Sequence, residues 1–198
     1  MARTIHLIRH GHHPQLGQFL CGRMAGVSLD TSGRRQMAHC AELLDPRPDV
    51  IRSSPQLRTR QSASILGRML GLPVQIASEI DEIDYGEWTG RRFADLQTDP
   101  AWSRWNAQRG SSRPPGGESM SALQRRVIAY LERLHRDPTA TTIALISHAE
   151  PIRAALLHYK GLSLDEFLSI EVGPASIHTL WLDEAGVQVT CSNDEVAA

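Results

Sequence analysis

Two histidines and two arginines stand where short apolar runs end. Ile5-His6-Leu7-Ile8 leads into Arg9-His10-Gly11. Asp49 to Ser53 leads into Ser54-Pro55, with Arg58 just beyond, and Thr141 to Ile146 leads into Ser147-His148. Guanidiniums grip phosphate oxygens bidentately, and helix N-termini at the same places add N–H donors and partial positive charge. Such a group is an anion site. It suits phosphoryl transfer, where catalysis is mainly positioning and stabilisation of charge on the equatorial oxygens. A neutral imidazole at His10 can attack phosphorus while Arg9, Arg58 and His148 hold the oxygens. The leaving alkoxide then needs a proton, and a carboxylic acid with a raised pKa can supply it. Asp81, Glu82, Asp84 and Glu87 crowd one stretch, and spacing alone does not choose among them. A metal site built on His10, His12 and His13 is the competing chemistry, but Arg9 and Arg58 would repel the cation, so no metal and no cofactor are expected.

These residues need elements to carry them. Thr4 to Arg9 reads as a strand, and residues 12–32, with Gly17, Gly22, Gly26 and Pro14, as a loop. A helix is expected from Gly33 to Leu44, capped by Thr31 or Ser32, with Met37, Cys40, Ala41 and Leu44 inward. Asp49 to Ser53 is a second strand. Ser54 is expected to cap the next helix, with Pro55 at its first position and Ile65, Leu66, Met69 and Leu70 as its buried stripe. Val74 to Ala77 reads as an edge strand. Residues 79–117 read as a lid-like insertion with short helices at 91–97 and 100–108, in which Trp102, Arg104, Trp105 and Arg109 are candidates for substrate contact. Leu123, Val127, Tyr130, Leu131 and Leu134 mark a helix behind a Ser119 cap. Thr141 to Ile146 is a strand with the β-branched, apolar character of a buried parallel sheet, and a helix follows over 151–159. Ser163 and Glu166 form a capping box, and strands over 176–182 and 187–191 close the pattern. The alternation predicts an α/β fold with a mostly parallel sheet, whose ligands gather beyond the carboxyl ends of the strands.

Composition agrees. The chain has 198 residues, 41% hydrophobic and 22% charged, with a net charge of −1. That describes a single globular domain over 1–198 and gives no basic excess for coating nucleic acid. Of 21 basic residues only Lys160 is lysine, so any anion site is an arginine site. Cys21, Cys40 and Cys191 are widely spaced and read as reduced thiols rather than a disulfide framework. No run approaches the ~18 apolar residues of a membrane span, and no export signal is legible, so a cytoplasmic location is expected.

Taken together, the motifs resemble the histidine phosphatase superfamily, also called phosphoglycerate mutase-like. LIRHGHH (7–13) is similar to its Arg-His-Gly signature, GRMAGVSLDTSGRRQ (22–36) to its loop and first helix start, and SSPQLRTRQSA (53–63) to its second-Arg motif. DEIDYGEWTG (81–90) is similar to its acid motif, PPGGES (114–119) to a substrate-side loop, and SHAEPIRA (147–154) to its second-His motif. The resemblance runs from about residue 3 to 182. It implies a three-layer α/β/α sandwich with an antiparallel edge and metal-independent chemistry. Carried over, it makes His10 the nucleophile, Arg9, Arg58 and His148 the phosphate pocket, and Glu82 the proton donor. The implied substrate-binding set is Arg9, Gly22, Arg58, Glu82, His148 and Ala149.

The chain also departs from the family. His12 and His13 replace the common Glu or Ser and Thr after the glycine, and Leu16 or Gln15 stands where many mutases have Asn. His12 either replaces a lost contact or is exposed. Glu150 replaces a small residue, and either tunes His148 or points away. The segment between Glu82 and the Pro114–Gly117 loop is short, as in the phosphatase branch rather than the cofactor-dependent mutases. The expected function is hydrolysis of a small phosphorylated metabolite through a phosphohistidine. Mutase-type transfer and non-catalytic binding of a phospho-ligand are the alternatives, and a homodimer stays open.

Overall fold

The computed structural model describes residues 2–192, with the side chains of 191 and 192 outside the description. The Cys191 thiol therefore lies outside the described side chains. Six strands form one sheet in the order β3-β2-β4-β1-β5-β6: β1 Arg3–Arg9, β2 Val50–Ser53, β3 Val74–Ile76, β4 Thr142–Ser147, β5 Ile177–Asp183 and β6 Gly186–Ser192. The first four run parallel, and β5 and β6 add an antiparallel edge.

Side chains alternate across the sheet and make a core on each face. Ile5, Leu7, Ile143 and Leu145 pack on one side with residues of α5 (Met120–Arg136) and α6 (Ala149–Tyr159). Ile8, Ile51, Ala144 and Ile146 pack on the other with residues of α1 (Thr31–Leu43) and α2 (Leu57–Leu70). The predicted apolar faces of α1 and α5 are buried as expected. The stripe of α2 is narrower, because Met69 is exposed while Ala63, Ile65 and Leu66 are buried. Between β3 and α5 lie two short helices, α3 (Phe93–Leu96) and α4 (Pro100–Ala107). Among the described residues no helix is long and apolar enough to cross a membrane.

Two cap assignments differ from expectation. Asp30, not Thr31 or Ser32, caps α1, its carboxylate accepting from Gly33 N at 2.8 Å. Ser54 does not cap α2: the helix starts at Leu57 with Gln56 at its N-cap position, and the Ser54 hydroxyl is turned toward His148. Ser119 caps α5, and the Ser163–Glu166 capping box is present on a 3₁₀ segment, Leu164–Ser169. Helix α6 starts two residues earlier than its Pro151 suggests, directly after His148.

Candidate active site

The sheet register sets the polar strand ends level. Arg9 stands opposite Ser147, and Ser53 opposite Ile146, so His10, Ser54 and His148 emerge side by side. Backbone bonds continue the ladder past the strands, from His10 N to Ser147 O at 3.1 Å and from Ser54 N to Ile146 O at 3.0 Å. Directly after His10 the chain crosses α1 at a pair of glycines. A Cβ on Gly11 would lie 2.3 Å from Gly33 O, and one on Gly33 would lie 2.1 Å from His12 O. Only two glycines permit this approach. His12 reinforces it by placing Nδ1 2.6 Å from Asp30 Oδ2. Its side chain thus ties the loop to the start of α1.

His10 is 3% exposed, and its Nδ1 lies 2.8 Å from Gly11 O. A carbonyl only accepts, so the proton sits on Nδ1 and the lone pair on Nε2. Arg58 Nε donates to that lone pair at 3.2 Å. Burial first, then the charges of Arg58 and Arg9, hold the His10 pKa well below 6.5. The same guanidinium reaches Gly22 O at 2.7 Å and His148 Nδ1 at 3.0 Å through Nη2, while its Nη1 has no partner. Because arginine only donates, His148 accepts at Nδ1 and carries its proton on Nε2, 2.7 Å from Ser54 Oγ. Ser54 in turn donates to Asp81 Oδ1 at 2.9 Å. Burial and then Arg58 also keep His148 neutral at pH 7. Arg9 donates to Val172 O at 2.7 Å; burial lowers its pKa to about 10, so it remains a cation.

The four carboxylates of the acidic stretch separate by environment. Asp84 is about half exposed, and Glu87 is exposed. Asp81 is occupied by Ser54 and by Gln56, which donates to both its oxygens at 3.0 Å. Glu82 is 8% exposed, and Oε1 accepts only from Ile83 N, at 3.0 Å. Its pKa is raised to about 7, by burial and then by the negative charge of Glu150, against the pull of Arg58 and Arg9. Arg126, from α5, holds this stretch in place, donating to the carbonyls of Glu79 at 2.7 Å, Asp81 at 2.8 Å and Glu82 at 3.1 Å. Arg23 adds a bond to Glu82 O at 2.8 Å, and Glu118 bridges the two arginines. Arg126, Arg23, Gln56 and Ser54 escape a reading of the sequence for site residues. Arg23, Ser54 and Gln56 lie inside recognisable motifs, and Arg126 lies outside them.

Among the other candidates, Gly22 contributes its carbonyl to Arg58, and Ala149 opens α6 directly after His148. His13 is 2% exposed, its ring centroid 5.3 Å from that of His10, and burial with the Arg58 and Arg9 charges lowers its pKa to about 4. Trp105 is not a substrate contact: it is fully buried against Trp88, and Trp102 stacks edge-on to the same ring at 5.3 Å. Arg104 is exposed on α4. Arg109 does turn inward, to Glu150 at 2.9 Å, so Glu150 is paired with arginine rather than with His148. No group of three or more His, Cys, Asp and Glu side chains among the described residues is arranged to hold a metal.

Known proteins resemble the chain in sequence and in fold. A Mycobacterium tuberculosis protein named as bifunctional is 30% identical over 186 residues, covering 92% of this chain but 48% of its own length, so the chain spans about half of that relative. Phosphoserine phosphatase 1 of Hydrogenobacter thermophilus is 30% identical over 169 residues, 82% of this chain and 80% of that protein. The solved structure of mycobacterial glucosyl-3-phosphoglycerate phosphatase superimposes with a TM-score of 0.81 at 25% identity, covering 97% of this chain and 98% of that one. A family model for the histidine phosphatase superfamily (branch 1) matches residues 5–195. With a match of that extent, and with the Arg-His-Gly strand end, the second arginine and the second histidine gathered at one rim, the chain belongs to the histidine phosphatase superfamily, branch 1.

Proposed function

We propose that the chain hydrolyses phosphomonoesters of small metabolites through a phosphohistidine on His10 Nε2. The observation that carries this reading is the orientation of that imidazole, with Nδ1–H tied to Gly11 O and the Nε2 lone pair facing Arg58. In the free protein Arg58 occupies the lone pair with its own N–H. An arriving phosphoryl group offers the guanidinium better acceptors in its oxygens and leaves Nε2 free to attack phosphorus. Arg9 and Arg58 hold the equatorial oxygens through their N–H groups, and His148, whose Nδ1 accepts from Arg58 in the free protein, takes a proton at Nδ1 from the phosphoester monoanion and donates it back to the third oxygen. Glu82, with a pKa of about 7, supplies the proton that the leaving alkoxide needs. It then accepts a proton from the water that attacks the phosphohistidine. Both steps pass through the same charge distribution, so one set of donors serves both.

The phosphatase names of the Hydrogenobacter and mycobacterial relatives support transfer to water over transfer to a second metabolite. The test is release of inorganic phosphate from an aryl phosphate by the protein and by His10→Ala, together with acid-labile labelling of the protein by a radioactive phosphoester. Loss of at least about a thousandfold in rate, with loss of the label, is expected when the nucleophile is removed. Full turnover by His10→Ala would overturn the proposal.

A further inference from the structure

The reading of the site as a phosphatase leaves the leaving-group side undescribed, and one cluster there is built and buried. Glu150 lies on the first turn of α6, two residues beyond His148, and is 7% exposed. It shares the first turn of the helix that follows His148 in the phosphate pocket, and its negative charge acts on Glu82 and on Tyr85. Two arginines converge on one of its oxygens: Arg109 Nη1 and Arg153 Nη1 both lie 2.9 Å from Oε1. The other oxygen, Oε2, has no hydrogen-bond partner, and neither do Nε and Nη1 of Arg109, itself 5% exposed, so that Nη1 meets Oε1 as an ion pair only. The arginines are fixed from behind. Arg109 lies over the Phe167 ring at 3.6 Å and donates to Asn106 at 3.0 Å, and Arg153 donates to Ile170 O at 3.0 Å.

We propose that Glu150 is a specificity-determining residue, which selects phosphomonoesters with neutral, hydroxyl-bearing leaving groups and selects against those that carry a carboxylate beside the ester. The proposal rests on the phosphatase reading and names its substrate class. Arg109 and Arg153 are the cations that could receive a substrate carboxylate on this side, and Glu150 already engages both. A carboxylate arriving here would face the Glu150 anion, and it has no proton to offer Oε2. A hydroxyl both donates and accepts, so a polyol can meet an unpartnered acceptor and an unpartnered donor without adding charge. Specificity of this kind comes as much from what the wall repels as from what it binds. Phosphoserine and glucosyl-3-phosphoglycerate, for which two of the relatives are named, both carry a carboxylate, so the proposal separates this chain from those relatives.

The experiment compares glycerol 3-phosphate with 3-phosphoglycerate, which differ in CH₂OH against COO⁻. Each is measured as a substrate and, where turnover is absent, as a competitive inhibitor of aryl phosphate hydrolysis. The protein is expected to favour glycerol 3-phosphate by at least about tenfold, the scale of one incompletely screened charge pair. Glu150→Gln keeps the shape and removes the anion, and is expected to move the ratio at least about tenfold toward phosphoglycerate. Arg109→Gln, tested with Glu150 intact, should move it the other way, which keeps the proposal falsifiable if the Glu150 variant does not fold. A protein that prefers phosphoglycerate, or a ratio unmoved by both substitutions, overturns the proposal. Aryl phosphate turnover separates the two failures: if it persists while the ratio stays fixed, only the assignment of Glu150 falls, and if it is absent the phosphatase reading falls as well.

Discussion

Glu82→Gln should cost activity and add stability, and each effect has its own pH signature. A carboxyl with a pKa of about 7 in the folded protein, against an ordinary 4.5, is stabilised in its neutral form by burial. Between these values the folded state holds a proton that the unfolded state has released. Above pH 7 the fold bears the full cost of a buried carboxylate. At about 1.4 kcal/mol per pH unit, that cost reaches roughly 3 kcal/mol at pH 8–9 and vanishes below pH 4.5. Glutamine keeps the acceptor for Ile83 N and cannot ionise. The variant should therefore be about 3 kcal/mol more stable in urea at pH 8.5 and unchanged at pH 4. Catalysis moves the opposite way. With an alkyl phosphate, whose leaving group needs the proton, turnover should fall by ~10²–10⁴-fold, while an aryl phosphate, which leaves as a stable anion, should lose much less. In the unaltered protein the alkyl rate should fall about tenfold per pH unit above 7, as the acid form titrates away. The acid side should hold through pH 6.5, because His10 remains neutral there. Equal losses on both substrate types, or a stability gain over the unaltered protein that is no larger at pH 8.5 than at pH 4, would refute the assignment of Glu82 as a buried proton donor.

Two further substitutions probe the frame around it. Arg58→Lys keeps the charge but removes the fork that joins His10 Nε2, His148 Nδ1 and Gly22 O, so kcat/KM should fall at least about a hundredfold with little change in melting temperature. Gly86→Ala places a Cβ 2.2 Å from Pro115 O at a backbone φ of +52°, beside the acidic stretch. It should destabilise the protein by roughly 2–4 kcal/mol in urea unfolding, and lower alkyl phosphate turnover beyond what the loss of folded protein explains.

Much of this architecture is legible in the sequence because it is local. Strand ends, helix faces and the capping box depend on residues within a few positions of each other, and the parallel sheet follows from their alternation. What escapes is set by partners far along the chain. Ser54 has the type and place of a helix cap, yet its hydroxyl is taken by Asp81 and His148, 27 and 94 residues away. Trp105 and Arg109 are equally plausible as substrate contacts by spacing. The fold buries the first against Trp88 and sends the second to Glu150. Arg126 carries no signal at all: it is one arginine among many on an amphipathic helix until the acidic stretch folds over it.

The carboxylates show the same division and explain how one site can hold several acids with different tasks. Asp81, Glu82 and Glu150 all lie in or beside the pocket, each no more than 8% exposed. Burial alone would raise both Glu82 and Glu150. Glu150 is held below its ordinary value by Arg109 and Arg153, which outweigh that effect. Asp81 is spent on Ser54 and Gln56. Glu82 has no arginine bonded to its side chain, and the two that act on it, Arg58 and Arg9, are outweighed by burial and by the Glu150 anion. A proton donor therefore needs no special residue type here. The proposed donor, Glu82, is the carboxyl from which the fold withholds a cation, and Glu150 sharpens the distinction by engaging two arginines on one of its own oxygens.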